Sequence, residues 1–134
     1  MPARRRNLEP GMIKGLRTTI YKVPDLTRAK AWYSQAFGIT PYFDEPFYVG
    51  FNVGGFELGL DPDAPAVIPP GGVLTYWAVD DVDAAYARLL QAGATRHEEP
   101  KEVGSGIKVA TVSDPFGNII GLIFNPHFDP RAVR

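Results

Sequence analysis

The feature that most constrains this chain is that it punctuates itself twice in the same way. Val23, Asp25, Leu26 and Ala29 recur as Val79, Asp81, Val82 and Ala85, every pair at one offset of 56 residues. One offset shared by a strand end, a cap residue and two apolar helix positions marks an internal duplication. Whatever unit the first half forms, the second half is expected to form again.

The unit can be read from local chemistry. Leu16 to Val23 carries β-branched or aromatic residues at Thr18, Thr19, Ile20, Tyr21 and Val23, which reads as a strand. Pro24 ends it, and Asp25 is a good helix N-cap. Leu26, Ala29, Trp32, Tyr33, Ala36 and Phe37 then recur at three- and four-residue steps until Gly38, the pattern of an amphipathic helix packed on a sheet. Short strands are expected around Thr40 to Phe43, Tyr48 to Val53 and Phe56 to Leu60, with Gly54-Gly55 turning between the last two. The unit is β-α-β-β-β.

Asp61 to Gly72 holds Pro62, Pro65, Pro69 and Pro70 and reads as a connection. Beyond it come a strand from Val73 to Val79, a helix capped by Asp81 with Val82, Ala85, Leu89, Leu90 and Ala92 on its apolar face up to Gly93, and strands around Thr95 to Glu98, Ile107 to Val112 and Ile119 to Phe124. Asp114-Pro115-Phe116-Gly117-Asn118 is the turn between the last two. Eight strands in runs, segregated from two helices, predict an α+β fold and not a doubly wound parallel sheet.

With 134 residues the expectation is one domain at about 13–128, built of module one (about 13–61), a linker (about 62–72) and module two (about 73–126), between tails at 1–12 and 129–134. A net charge of -1 argues against a nucleic-acid partner, and Arg4, Arg5 and Arg6 read as a solvated end. The chain has no cysteine, which excludes disulfides, thiolate zinc sites and a cysteine nucleophile. Glu9, Pro10, Lys14 and Arg17 interrupt any apolar signal core, and no run is long enough to span a bilayer, so a cytoplasmic protein without membrane contact is expected.

Three motifs on this frame carry a family resemblance. They are V-x-D-L-x-x-A-x-x-W-Y-x-x-x-F-G from Val23 to Gly38, V-D-D-V-D-A from Val79 to Ala84, and D-P-x-G-N at Asp114, Pro115, Gly117 and Asn118. In this order, across about residues 13 to 126, the chain resembles the glyoxalase / bleomycin-resistance / extradiol-dioxygenase superfamily, the vicinal oxygen chelate fold. The resemblance implies that the two modules form an eight-stranded open cup with two helices packed outside. It also implies a homodimer and a small-molecule ligand. In metal-dependent members, His, Glu or Gln ligands sit on the first and fourth strands of each module.

Carried over residue by residue, those positions are Thr18 and Leu74 on the first strands, Glu57 in Phe56-Glu57-Leu58, and Gly121 where the family commonly has a glutamate after D-P-x-G-N. Thr18 and Leu74 share the 56-residue offset, so the register is consistent. Three of the four positions are not ligands, so no metal site and no cofactor are expected. A divalent ion would need a nonstandard site, for instance Glu57 with His97 or a tail residue of a second chain. His97 and His127 are the only histidines, and neither has ligand spacing.

Alternation along a strand, anchored on these positions, sends Ile20, Lys22, Gly59, Tyr76 and Ile123 to the cup face with Thr18, Glu57, Leu74 and Gly121, and Ala78 with them. The opposite set, Thr19, Tyr21, Val23, Phe56, Leu58, Thr75, Trp77, Val79, Ile120, Leu122 and Phe124, should meet the helices. The cup is then mainly apolar, the composition of a small-molecule pocket. Glu57 reads either as the anchor for a cationic or hydrogen-bonding group or as a catalytic base, or else as a structural carboxylate, paired with a lysine such as Lys22 or simply wetted at the cup's mouth. Gly104-Ser105-Gly106 is a hairpin turn or a lid. The expected function is a superfamily member with a degenerate metal site that binds a small, largely apolar organic molecule. The alternatives are a metal- or Glu57-dependent lyase, isomerase or dioxygenase, and a non-catalytic structural or regulatory domain.

Overall fold

A computed structural model describes residues 16–64 and 73–127. The expected tails at 1–12 and 129–134, and most of the linker, lie outside the described residues. Module one consists of β1 (Thr18–Lys22), α1 (Leu26–Phe37), β2 (Phe43–Glu45), β3 (Tyr48–Val53) and β4 (Phe56–Asp61). Module two consists of β5 (Tyr76–Ala78), α2 (Val82–Gln91), β6 (Thr95–Glu102), β7 (Lys108–Ser113) and β8 (Ile119–Phe124). The fold is α+β, with eight strands among the described residues in two open four-stranded sheets.

The duplication extends to topology. The sheet orders are β1-β4-β3-β2 and β5-β8-β7-β6, so each sheet runs first, fourth, third, second. In each, the first strand is parallel to the fourth and the others pair antiparallel. A parallel pair needs a crossover, which α1 and then the β2–β3 hairpin supply in module one.

Both helices start as their sequences dictate. The Asp25 carboxylate accepts from the Arg28 amide at 3.1 Å, and the Asp81 carboxylate from the Ala84 amide at 3.0 Å. Gly38 ends α1 in the left-handed region (φ 68°), where a side chain would be strained. The last turn of α1 is also held from the other module, by Arg88 donating to the Ala36 and Gln35 carbonyls, both at 3.1 Å.

The core lies between the sheets and the helices. Ala29, Tyr33 and Ala36 of α1 and Val82, Tyr86 and Leu89 of α2 are buried with Tyr21, Val49, Phe51, Leu58, Leu60, Ala110, Val112, Ile120 and Leu122. Phe56 and Phe124, expected in this set, are 41% and 37% exposed, because they begin β4 and end β8 beyond the reach of the helices. Trp32 donates to the Ala92 carbonyl at 2.8 Å and Asn118 to the Lys22 carbonyl at 3.0 Å, so the two modules are bonded through their helix side.

Three strand boundaries differ from expectation. The second strand is Phe43–Glu45, displaced from Thr40 to Phe43. Pro41 has no N–H to give a ladder, and pairing begins at Phe43 with Gly50. β5 is confined to Tyr76–Ala78, shorter than Val73 to Val79. β6 runs on to Glu102 with register shifts between Arg96 and Glu98 and between Glu98 and Lys101. As an edge strand it tolerates Pro100 and a run of charges. No helix among the described residues is long and apolar enough to cross a membrane.

Candidate functional site

The register of the first sheet puts Thr18 opposite Glu57, Ile20 opposite Gly59 and Lys22 opposite Asp61 across the β1–β4 pair. Across β3–β4, Glu57 faces Asn52 and Gly59 faces Gly50. Paired residues share a face, so Thr18, Ile20, Lys22, Glu57 and Gly59 stand together on the side away from the helices, joined by Asn52, Gly50 and Tyr48. Val49 and Phe51, between them in sequence, are buried in the core.

Glu57 is the centre of this face. Its Oε1 accepts from the Thr18 hydroxyl at 2.9 Å, and its Oε2 from the phenols of Tyr42 at 2.9 Å and Tyr48 at 3.1 Å. Two glycines make room for the cluster. A Cβ on Gly50 would stand 2.5 Å from Glu57 Oε2, and one on Gly59 would collide with the Tyr48 hydroxyl. The hydrogen bond to Glu57 raises the Tyr42 phenol above its usual range. Tyr48 is pushed up to about 12, first by burial and then by the charge of Glu57.

Beside the carboxylate is a hollow of about 250 Å³ lined by Arg17, Thr18, Tyr42, Asn52, Gly55, Phe56 and Glu57. Phe43, on β2, lies edge-on to Tyr48 at 6.0 Å and to Phe47 at 6.2 Å, so the same end of the sheet carries an aromatic group.

The expected partnership of Glu57 with Lys22 does not form. Four residues of extended strand separate Thr18 from Lys22, about 13 Å, and the Lys22 ammonium instead donates to the Ala64 carbonyl at 2.7 Å. Tyr42 and Tyr48 were not anticipated. Tyr48 is legible by extending the alternation to β3, where inward Val49 and Phe51 turn Tyr48 outward. Tyr42 falls in the strand expected around Thr40 to Phe43 but precedes the observed β2, so strand alternation does not place its ring.

The remaining expected residues belong to the second sheet, where Tyr76 pairs with Gly121 and Ala78 with Ile123. The Tyr76 ring lies over Gly121: a Cβ there would be 2.7 Å from Tyr76 Cδ1 and from the Thr75 carbonyl. Leu74, Tyr76, Gly121 and Ile123 do not line the hollow at Glu57. His97 Nδ1 is 2.8 Å from the Thr111 hydroxyl, and His127 Nε2 is 2.7 Å from the Ser105 carbonyl. Gly104-Ser105-Gly106 lies in the β6–β7 hairpin turn, closed by Val103 and Ile107.

The chain matches the model of the Glyoxalase/Bleomycin resistance protein/Dioxygenase superfamily over residues 15–122. It is 34% identical over 106 residues to "Putative glyoxylase CFP32" of Mycobacterium bovis, an alignment covering 75% of this chain and 39% of that protein. The chain thus spans well under half the length of this relative. A solved glyoxalase-related enzyme from Fulvimarina pelagi superposes with TM-score 0.70 at 22% identity, covering 85% of this chain and 90% of that one. Lactoylglutathione lyase from Agrobacterium tumefaciens superposes with TM-score 0.68 at 23% identity, covering 87% and 99%. These structures share the fold. The matched residues, the repeated β-α-β-β-β topology and the three motifs together establish that the chain belongs to the glyoxalase/bleomycin resistance protein/dioxygenase superfamily.

Proposed function

We propose that the chain is a small-molecule-binding member of this superfamily that works without the family's divalent metal, with the hollow at Glu57 as its site. The observation that carries the reading is the Glu57 carboxylate, fixed by three hydroxyls at the wall of an open hollow beside exposed aromatic rings. A carboxylate held this firmly on a sheet face is a preorganised contact for a ligand. The apolar surroundings suit a carbon-rich ligand body, since Ile20 is 49% exposed on the same face and Phe56 lines the hollow.

The donor set does not fit a divalent ion. Metal sites with an open position hold their ion with about three protein ligands. Of the four family positions, Leu74 and Gly121 have no donor side chain, and the Thr18 hydroxyl is turned to Glu57. Among the described residues no three of His, Cys, Asp and Glu come together. Elemental analysis of dialysed protein, with melting curves over a small-molecule library in the presence and absence of EDTA, tests the reading. We expect substoichiometric divalent metal and ligand-dependent stabilisation that EDTA leaves unchanged. A stoichiometric ion, or stabilisation abolished by EDTA, overturns it.

We also propose a homodimer. The described residues leave Ile20, Leu74 and Tyr76 between 39% and 49% exposed on the faces away from the helices, surface that a second copy would shield. A monomeric mass by sedimentation at micromolar concentration would contradict this.

A further inference from the structure

We infer that the head of the ligand is a positively charged hydrogen-bond donor, a primary ammonium or amidinium group on an apolar or aromatic body. The inference rests on the reading of the Glu57 hollow as a binding site and specifies what that site selects.

A carboxylate only accepts hydrogen bonds, so the hydroxyls of Thr18, Tyr42 and Tyr48 must all spend their protons on Glu57. What those three oxygens can offer a ligand is therefore lone pairs. Of the roughly four lone-pair sites on a carboxylate, three are taken, and the open one is on Oε1. The cluster presents acceptors and no hydroxyl proton.

Among the described residues its charge also has no cationic partner: no lysine, arginine or histidine forms an ion pair with Glu57. Lys22 is committed to the Ala64 carbonyl, and Arg17, on the wall of the hollow, uses one guanidinium nitrogen on the Leu16 carbonyl at 3.3 Å and makes no ion pair with Glu57. Asn52 spends its side-chain oxygen on the Gly55 amide at 2.9 Å, leaving its amide nitrogen as a neutral donor.

A neutral donor would satisfy the open lone pair but leave the charge, and an anionic head placed at Glu57 would meet the carboxylate and the lone pairs of its three hydroxyl partners. A cationic donor answers both. The Tyr42 ring, 65% exposed beside the carboxylate, adds an aromatic surface of the kind that attracts cations. The size of the hollow, about 250 Å³, lies just below the usual range for drug-sized ligands and points to a compact head.

Benzylamine, benzyl alcohol and benzoate have similar bodies and differ in the head, and each can be titrated into the full chain by calorimetry and by amide chemical shifts. Because bonds between charged partners are worth more than neutral ones, benzylamine should bind about tenfold or more tightly than benzyl alcohol, with benzoate weakest. Added salt should weaken the amine most, and Glu57→Gln should erase its advantage. If the alcohol or benzoate binds as well as the amine, or if Glu57→Gln keeps the preference, the cationic head is wrong while the hollow stands as a site. If none of the three perturbs the protein, the hollow is not a site and both readings fall. The wild-type series decides the matter even if Glu57→Gln fails to fold.

Discussion

Tyr33 on α1 and Tyr86 on α2 are both buried, and deleting the same oxygen from each should have different consequences. Tyr33 is 0% exposed, and its hydroxyl donates to Asp114 Oδ2 at 2.6 Å. Asp114 itself is 3% exposed, and it also accepts from the Phe116 and Asn118 amides, both at 2.8 Å, and from Asn118 Nδ2 at 3.0 Å. This carboxylate ties the D-P-x-G-N turn of module two to the helix of module one. Burial, with Asp114 beside it, pushes the Tyr33 phenol far above its usual range, so it stays a donor. Hydrogen bonds to charged groups contribute about 1.5–3 kcal/mol, and Tyr33→Phe leaves Asp114 three donors, so a loss of about 2 kcal/mol is expected. At about 2.1 cal/mol/K per residue of unfolding entropy, that lowers Tm by about 7 °C in a chain this long. Tyr86 is 8% exposed, and its hydroxyl has no partner among the described residues. A desolvated, unpaired hydroxyl costs free energy, so Tyr86→Phe should be neutral or stabilising by up to about 1 kcal/mol. Urea unfolding of both variants at neutral pH measures the contrast. A Tyr33→Phe loss below about 0.5 kcal/mol, or a Tyr86→Phe loss above about 1 kcal/mol, would refute the role given to these hydroxyls.

Alkaline pH offers a second test, because Tyr21 is pushed up from 10.0 to about 12, chiefly by burial. It holds its proton more tightly folded than unfolded, so its stabilisation is complete below about pH 10 and is lost as pH rises through about 12. The wild-type Tm should fall across that window, Tyr21→Phe should flatten the fall, and a constant wild-type Tm to pH 12 would contradict it. Gly59→Ala should drive the Tyr48 phenol off Glu57, returning its titration from about 12 toward 10 in ultraviolet difference spectra; an unchanged titration would show that the glycine is not making room for it. At Gly121 the nearest obstacle is the Thr75 carbonyl, which cannot swing aside as a side chain can, so Gly121→Ala should cost about 1–3 kcal/mol in the same urea assay, and a neutral result would contradict the close packing.

The fold was legible where its signals are local. Asp25 and Asp81 cap helices that begin one residue later, and the 56-residue offset corresponds to two sheets of identical strand order. Edge strands were read less well. β2 and β6 pair on one side only, so their limits follow their neighbours more than their own residues. Tyr86 was missed from the α2 core because alanine and leucine dominate that face, yet its ring is buried between Val82 and Leu89 in sequence. In the candidate site, Glu57 and Thr18 came from positions carried over from the family resemblance, and the strand register sets them opposite each other. Tyr42 arrives from outside any regular strand, and long-range packing of that kind has no period to reveal it.

The most direct measurement is amide chemical-shift mapping of chelator-treated protein titrated with benzylamine. A ligand site at Glu57 that needs no metal predicts perturbations centred on Thr18, Tyr42, Asn52 and Glu57, equal with and without added divalent ions. Shifts that appear only after a divalent ion is supplied, or that fall elsewhere on the protein, would contradict it.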